Sequence, residues 1–235
     1  KPKLQAFAKK WTPILMKAMP WLIALGIVLP TMHQSSLGSM ILLAGPKLHP
    51  LWLTGWLPFF FLVSCLSMGY GMVVLETMWS RTVYSRYRET SILTALSPAM
   101  VVVLFVWVAA RLLNILAAGK IGYAFQLDRF AILFWLEILL FVMPAIILMM
   151  KPTRTDKDRG RLFMASGMMV TGGMLHRFTA YWFAYNPGEH WNLYFPSMFE
   201  IFVTVGLIAA EVAAFMYIIK RFPILTGRPS AALPT

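Results

Sequence analysis

Cysteine is almost missing from this chain: Cys65 stands alone in 235 residues. A single thiol excludes an intrachain disulfide, a Cys-rich zinc site and an iron–sulfur cluster held by this chain alone. Charge is scarce as well, at 13% of residues, and acid is scarcer than base, with 9 Asp and Glu against 21 Lys and Arg. Also absent are the phosphate-cradling G-x-x-x-x-G-K loop, the metalloprotease H-E-x-x-H pair and the G-x-S-x-G nucleophile elbow. Phosphate-loop, zinc-protease and serine-hydrolase chemistry therefore have no support. What is abundant is apolar surface: 59% of residues are hydrophobic and the mean hydropathy is +0.69. Soluble domains run near half apolar and a quarter charged, so an ordinary water-soluble fold is excluded.

Roughly 20 helical residues cross a bilayer. Six runs meet that length, at 19–45, 54–79, 92–118, 130–150, 161–185 and 199–222. The expectation is an all-α, polytopic helical membrane protein, a single bundle over 1–225 with a mobile tail at 226–235. The first three runs are long, and Pro20, Pro30, Pro58 and Pro98 supply places to bend. The chain begins at Lys1 with no signal-peptide pattern, and it reads as part of a longer polypeptide.

Basic residues divide unevenly between the loops. The segment before the first run, the second and fourth loops and the C-terminal end hold sixteen Lys and Arg. The alternating loops hold only Lys47, Lys120 and Arg129. That asymmetry predicts both termini in the cytoplasm. It also accounts for the net charge of +12 as topology, with no nucleic-acid partner. The outward loops are rich in aromatic residues, and His49, Trp52, Asn186, Trp191 and Tyr194 are candidates for docking a partner. An aromatic belt at the lipid headgroups explains the same residues.

Charges inside apolar runs are costly and point to function. Arg111, Glu137, His176 and Arg177 fall in the outer halves of their runs, Glu211 near the middle and Glu76 near the inner end. Arg111 with Glu137, and Arg177 with Glu211, are the expected neutralising pairs. Such pairs tie helices together, or they form a proton route from the outer cluster through Glu211 to Glu76. The run His33, Gln34, Ser35, Ser36 cannot face lipid without leaving polar groups unsatisfied. It packs helices, or it meets a polar ligand such as a quinone head group, whose two carbonyls suit His, Gln and Ser donors. His33 and His176 lie at similar depths, which leaves a bis-His haem open on geometry, although two matches among four histidines arise easily by chance.

The segment from Ile23 to Trp52, IALGIVLPTMHQSSLGSMILLAGPKLHPLW, resembles the membrane subunits of hydrogenase-2-type [NiFe] hydrogenases, within the NrfD/polysulfide-reductase superfamily. Phe134-Trp135-Leu136-Glu137, Arg177, Tyr185-Asn186-Pro187-Gly188, Tyr194-Phe195-Pro196 and Ala210-Glu211 fit the same pattern, so the resemblance covers nearly the whole chain. It implies a multi-pass subunit of the bacterial inner membrane that itself binds no haem, metal or iron–sulfur cluster. Menaquinone or ubiquinone is the implied exchangeable substrate, with proton translocation as a coupled step. The implied partners are a periplasmic ferredoxin-like iron–sulfur subunit and the small and large [NiFe] hydrogenase subunits. Family chains carry about four more helices before the matched part, and their quinone pocket lies largely there. His176 has no counterpart in the pattern, and its role stays open at this point. The rivals are an anchor for a polysulfide, nitrite or sulfite oxidoreductase, a proton or ion transporter without a redox partner, and a cytochrome b.

Overall fold

The computed structural model describes residues 2–84, 90–126, 128–150, 158–185 and 196–221. These residues are helical, joined by short turns and one isolated bridge between Leu48 and Tyr185. The helices are α1 (Pro2–Leu42), α2 (Leu57–Tyr84), α3 (Thr90–Ala117), the single turn α4 (Ile121–Ala124), α5 (Arg129–Met149), α6 (Asp158–Phe178) and α7 (Met198–Arg221). A π-helical turn, Thr179–Phe183, continues α6.

Local chemistry sets several of these boundaries. Gly119 ends α3 with φ of 65°, and the N–H groups of Gly119 and Lys120 return to the carbonyls of Leu116 and Ile115. That pairing is the Schellman closure, which favours a residue without a Cβ. Asp128 opens α5 by accepting from the Arg129 N–H. Ser197 and Glu200 cap α7 reciprocally, each side chain bonded to the other's backbone N–H.

Helices α2, α3, α5 and α6 form a closed ring in which each packs on the next, α6 returning to α2. Their inward positions recur every three or four residues, as a helix buried on one face requires. On α3 these are Met100, Leu104, Trp107, Arg111 and Ile115; on α5 they include Phe134, Glu137, Phe141 and Ile147. The C-terminal part of α1 lies outside the ring against α2, where Gly38 meets the backbone of Pro58. Helix α7 is exposed at every described side chain from Met198 to Ile218.

Five described helical stretches are long and apolar enough to cross a membrane: Trp11–Leu42, Leu57–Trp79, Ala95–Ala117, Arg129–Met149 and Met198–Ile218. The expected span at 161–185 corresponds to α6 and the π turn, which is not among them. Gly160, Gly167, Gly172, Gly173, Ser166, Thr171, His176 and Arg177 dilute its apolar content. Its buried face is satisfied by α2 and α5 instead of by lipid. The tail at 226–235 lies outside the described residues.

Candidate functional site

The middle of the four-helix ring holds a charged cluster. Arg111 from α3, Glu137 from α5 and His176 from α6 each have zero exposure, as does Trp52 from the loop before α2. Glu137 is the hub. One carboxylate oxygen, Oε1, pairs with Nδ1 of His176. The other, Oε2, accepts the Trp52 indole N–H at 3.2 Å and lies 3.9 Å from the Arg111 guanidinium. With Nδ1 turned to the carboxylate, Nε2 is the imidazole nitrogen left to accept a proton. It has no hydrogen-bond partner among the described residues.

Aromatic rings wall the cluster. The Arg111 guanidinium carbon sits 5.3, 5.5 and 5.7 Å from the ring centres of Phe60, Phe134 and Trp52. Trp107 stacks on Phe141 at 3.9 Å and meets His176 edge-on at 5.4 Å. Ring faces attract a cation, but they do not replace hydrogen bonds to its N–H groups. None of the three Arg111 nitrogens has a hydrogen-bond partner among the described residues. An arginine kept in such a place is expensive, which makes the cluster the leading candidate site among the described residues.

A second group, centred on the next residue of α6, involves α1, α2 and α6. Arg177 is half-buried and donates to Gln34 Oε1 at 2.9 Å, Ser64 Oγ at 3.3 Å and the carbonyls of Gly173 and Phe61. This bond turns the Gln34 carbonyl to the arginine and leaves the amide N–H groups as donors. Near it, a cavity of about 260 Å³ opens between α1 and the π turn, lined by Met40, Ile41, Ala44, Ala180, Tyr181 and Tyr185.

The sequence-derived candidates divide accordingly. Arg111 and Glu137 come together, and His176, whose role the sequence leaves open, joins them. Arg177 does not face Glu211; its partners are Gln34, Ser64 and backbone carbonyls. Glu211 stands exposed on α7 and Glu76 exposed on α2, and no described contact links either to the cluster. Within the polar run of α1, Gln34 and Ser35 are half-buried, whereas His33 and Ser36 are exposed. Trp52 is no surface docking residue, because its indole N–H is consumed by Glu137 in the interior. His49 is half-buried, stacked 4.2 Å from Phe130, with its Nδ1 accepting the Leu51 N–H. Burial pushes its pKa below the ordinary 6.5, and nearby Asp128 offsets part of that shift. Asn186, Trp191 and Tyr194 lie outside the described residues.

Periodicity carries a signal for the residues that charge and depth miss. On α6, Leu162, Ala165, Ser166, Met169, Gly172, Gly173 and His176 share the three-and-four spacing of one buried face. On α2 the same spacing through Phe60, Ser64, Ser67, Gly71, Val74 and Met78 leaves Glu76 outside. No group of three or more His, Cys, Asp or Glu that would hold a metal ion occurs among the described residues. The bis-His haem pairing of His33 with His176 is not assembled here: His176 is packed by Phe61 and Trp107, and His33 is exposed on α1.

Among known proteins, the family model described as polysulphide reductase, NrfD, matches residues 1–186. Over 217 residues the chain is 34% identical to the probable Ni/Fe-hydrogenase 2 b-type cytochrome subunit of Escherichia coli, covering 90% of this chain and 54% of that protein. A protein of Nitratidesulfovibrio vulgaris is 28% identical over 233 residues, 94% of this chain and 58% of its own length. The chain thus spans a little over half the length of the curated relatives it matches. No solved structure matches it significantly.

Proposed function

Because the chain belongs to the NrfD family of polysulphide reductase membrane subunits, we propose that it is the quinone-reactive anchor of a respiratory [NiFe] hydrogenase complex. Hydrogen oxidised at a periplasmic [NiFe] centre, in the hydrogenase small and large subunits, delivers electrons through a ferredoxin-like iron–sulfur subunit. This chain links that subunit to the quinone pool of the bacterial inner membrane. The observation that carries the reading is the 34% identity, over nine-tenths of the chain, with a protein named as a hydrogenase 2 subunit.

In this reading α6 is the fifth of six crossings and both termini are cytoplasmic, supported by the uneven division of Lys and Arg between loops. The head group of menaquinone or ubiquinone approaches the α1 run at His33, Gln34, Ser35 and Ser36. Gln34, oriented by Arg177, offers N–H donors to a quinone carbonyl, and the neighbouring cavity with its two tyrosines suits an aromatic ring. Reducing a quinone takes up two protons along with two electrons. Buried Glu137 and His176 are suited to pass a proton in transit, with the carboxylate, shared with Arg111, offsetting part of the charge gained when Nε2 is protonated. Glu211 and Glu76 belong to this route by their depth in the sequence alone. The name of the Escherichia coli relative includes a b-type cytochrome, and in this reading the present chain itself binds no haem, which the haem bands of the purified complex test directly.

Purification of the native complex through a tag on this chain tests the proposal. The expected result is co-purification of the [NiFe] subunits and an iron–sulfur subunit, without haem bands that depend on this chain. A polysulfide, nitrite or sulfite oxidoreductase in their place favours the second reading, which the family description supports equally. Proton or ion transport by the isolated chain, with no redox partner, favours a transporter.

A further inference from the structure

Arg111, Glu137 and His176 stand on three different helices, so the geometry among them depends on how α3, α5 and α6 are held against one another. Residues 48–53, in the turn before α2, are tied to the same end of all three. Lys120, just past the end of α3, donates from Nζ to the Leu53 carbonyl at 2.6 Å. Phe130, in the first turn of α5, stacks on His49 at 4.2 Å. Beyond the π turn that continues α6, the Ala184 carbonyl accepts the His49 N–H at 2.8 Å, and Tyr185 forms the isolated bridge with Leu48. The segment also closes on itself, with the backbone N–H groups of Trp52 and Leu53 both returning to the His49 carbonyl. Leu48, Leu51 and Trp52 are all buried.

From this segment the Trp52 side chain enters the cluster, and its contact there is of a particular kind. Arg111 acts on Glu137 Oε2 by charge alone, at 3.9 Å, with none of its nitrogens hydrogen-bonded among the described residues. Charge attraction leaves the carboxylate plane free to turn, whereas a hydrogen bond has a preferred direction. Among the described residues, the Trp52 indole is the one hydrogen-bond donor to Oε2, at 3.2 Å. An indole N–H only donates, so it neither takes nor gives up a proton in the exchange. An oxygen that keeps accepting that N–H is a poor seat for a proton. The exchangeable seat is therefore Oε1, which faces Nδ1 of His176.

We propose that Trp52 is a positioning residue for the Glu137–His176 pair: its indole N–H holds Oε2, and residues 48–53, tied across α3, α5 and α6, hold the indole in place. Oε1 then stays opposite Nδ1 as the oxygen that exchanges a proton. Uptake of a proton at Nε2 lets the Nδ1 proton pass to Oε1, no electron moves in that step, and the indole keeps its own proton throughout. The proposal rests on the reading of Glu137 and His176 as a pair that passes a proton.

The test uses the complete complex with hydrogen as donor and a quinone as acceptor. It follows quinone reduction across pH, its solvent deuterium isotope effect and the carboxylic-acid band in redox-difference infrared spectra. Trp52→benzothienylalanine keeps the ring shape and exchanges only the N–H for sulfur, whereas Trp52→fluorotryptophan keeps the N–H. Met100→Ala, a loss of buried packing on α3 roughly 16 Å from Arg111, controls for stability alone. For Trp52→benzothienylalanine the expected rate is about tenfold lower, the size of a lost hydrogen bond to a charged group. The pH–rate profile is displaced, the isotope effect is larger and the carboxylic-acid band moves. Lys120→Met, which releases one tie without touching the cluster, shifts the same readouts by less. Trp52→fluorotryptophan and Met100→Ala keep the wild-type pH profile and isotope effect, whatever Met100→Ala does to the thermal midpoint. Wild-type behaviour of Trp52→benzothienylalanine, with Glu137→Gln impaired, overturns the positioning role and leaves the proton-passing pair standing. Wild-type behaviour of Glu137→Gln overturns both. If Trp52→benzothienylalanine fails to assemble, Lys120→Met decides, and a wild-type profile there overturns the proposal.

Discussion

Glu137 has to satisfy an imidazole, an indole N–H and a guanidinium with two oxygens, and every one of those groups is fully buried. Removing one member therefore strands the others. For Arg111→Met, which leaves the carboxylate without its cation, the expected loss of stability is about 3–5 kcal/mol. The double replacement Arg111→Met with Glu137→Leu should recover most of that loss, because two apolar side chains need no partner. Thermal unfolding of the detergent-solubilised complex checks this. Additive losses in the double variant would show that the two residues act independently. His49 offers a pH test outside the apolar spans. Its folded pKa is depressed by burial, so on acidification the unfolded chain takes up the proton first. His49 makes no difference to stability well above 6.5 and destabilises progressively as pH falls below it. Between about pH 7.5 and about pH 5.5 the thermal midpoint should fall, and His49→Phe should flatten that fall. An unchanged slope in the variant would assign the fall to other groups.

At the level of the helix, packing at glycine decides more than hydropathy does. Gly71 touches the α6 backbone, whereas a Cβ added at Gly167, on α6 itself, would meet nothing within 4 Å. Gly71→Ala should cost about 1–3 kcal/mol by forcing the two helices apart, while Gly167→Ala should be tolerated. Equal effects in a thermal melt would contradict the close seam. The same contrast explains which elements are legible in the sequence. Helices α2, α3, α5 and α7 are readable as apolar runs with ends shifted by a few residues, and α1 likewise except that it begins at Pro2, well before the run expected from 19. Helix α6 is found by length and position, although its composition is too polar for a lipid-facing span. The π turn after Phe178 is not foreseeable, since no sequence period announces it. The pairing of Arg111 with Glu137 follows from charge and depth. Trp52 as a ligand of Glu137 does not, because a loop residue's packing depends on how the chain folds back over the ring. Glu76 and Glu211 stand out by depth alone, and helical phase sets Glu76 aside.

Across the whole molecule, an aromatic-walled ion cluster sits inside a ring of four helices, with α1 leaning on α2 and α7 exposed along its length. Two features lie close together in that arrangement: the Glu137–His176 pair in the interior and the Arg177–Gln34 contact toward the α1 cavity. A quinone anchor needs such a neighbourhood, because electrons and protons must arrive at the same head group. Family membership and the hydrogenase 2 relative supply the proposed source of those electrons. The most direct measurement is hydrogen-dependent quinone reduction by the native complex, prepared with and without this chain, alongside hydrogen-dependent dye reduction. Loss of quinone reduction with dye reduction intact is the predicted result, placing this chain between the hydrogenase and the quinone pool. Quinone reduction that persists without the chain would contradict that role.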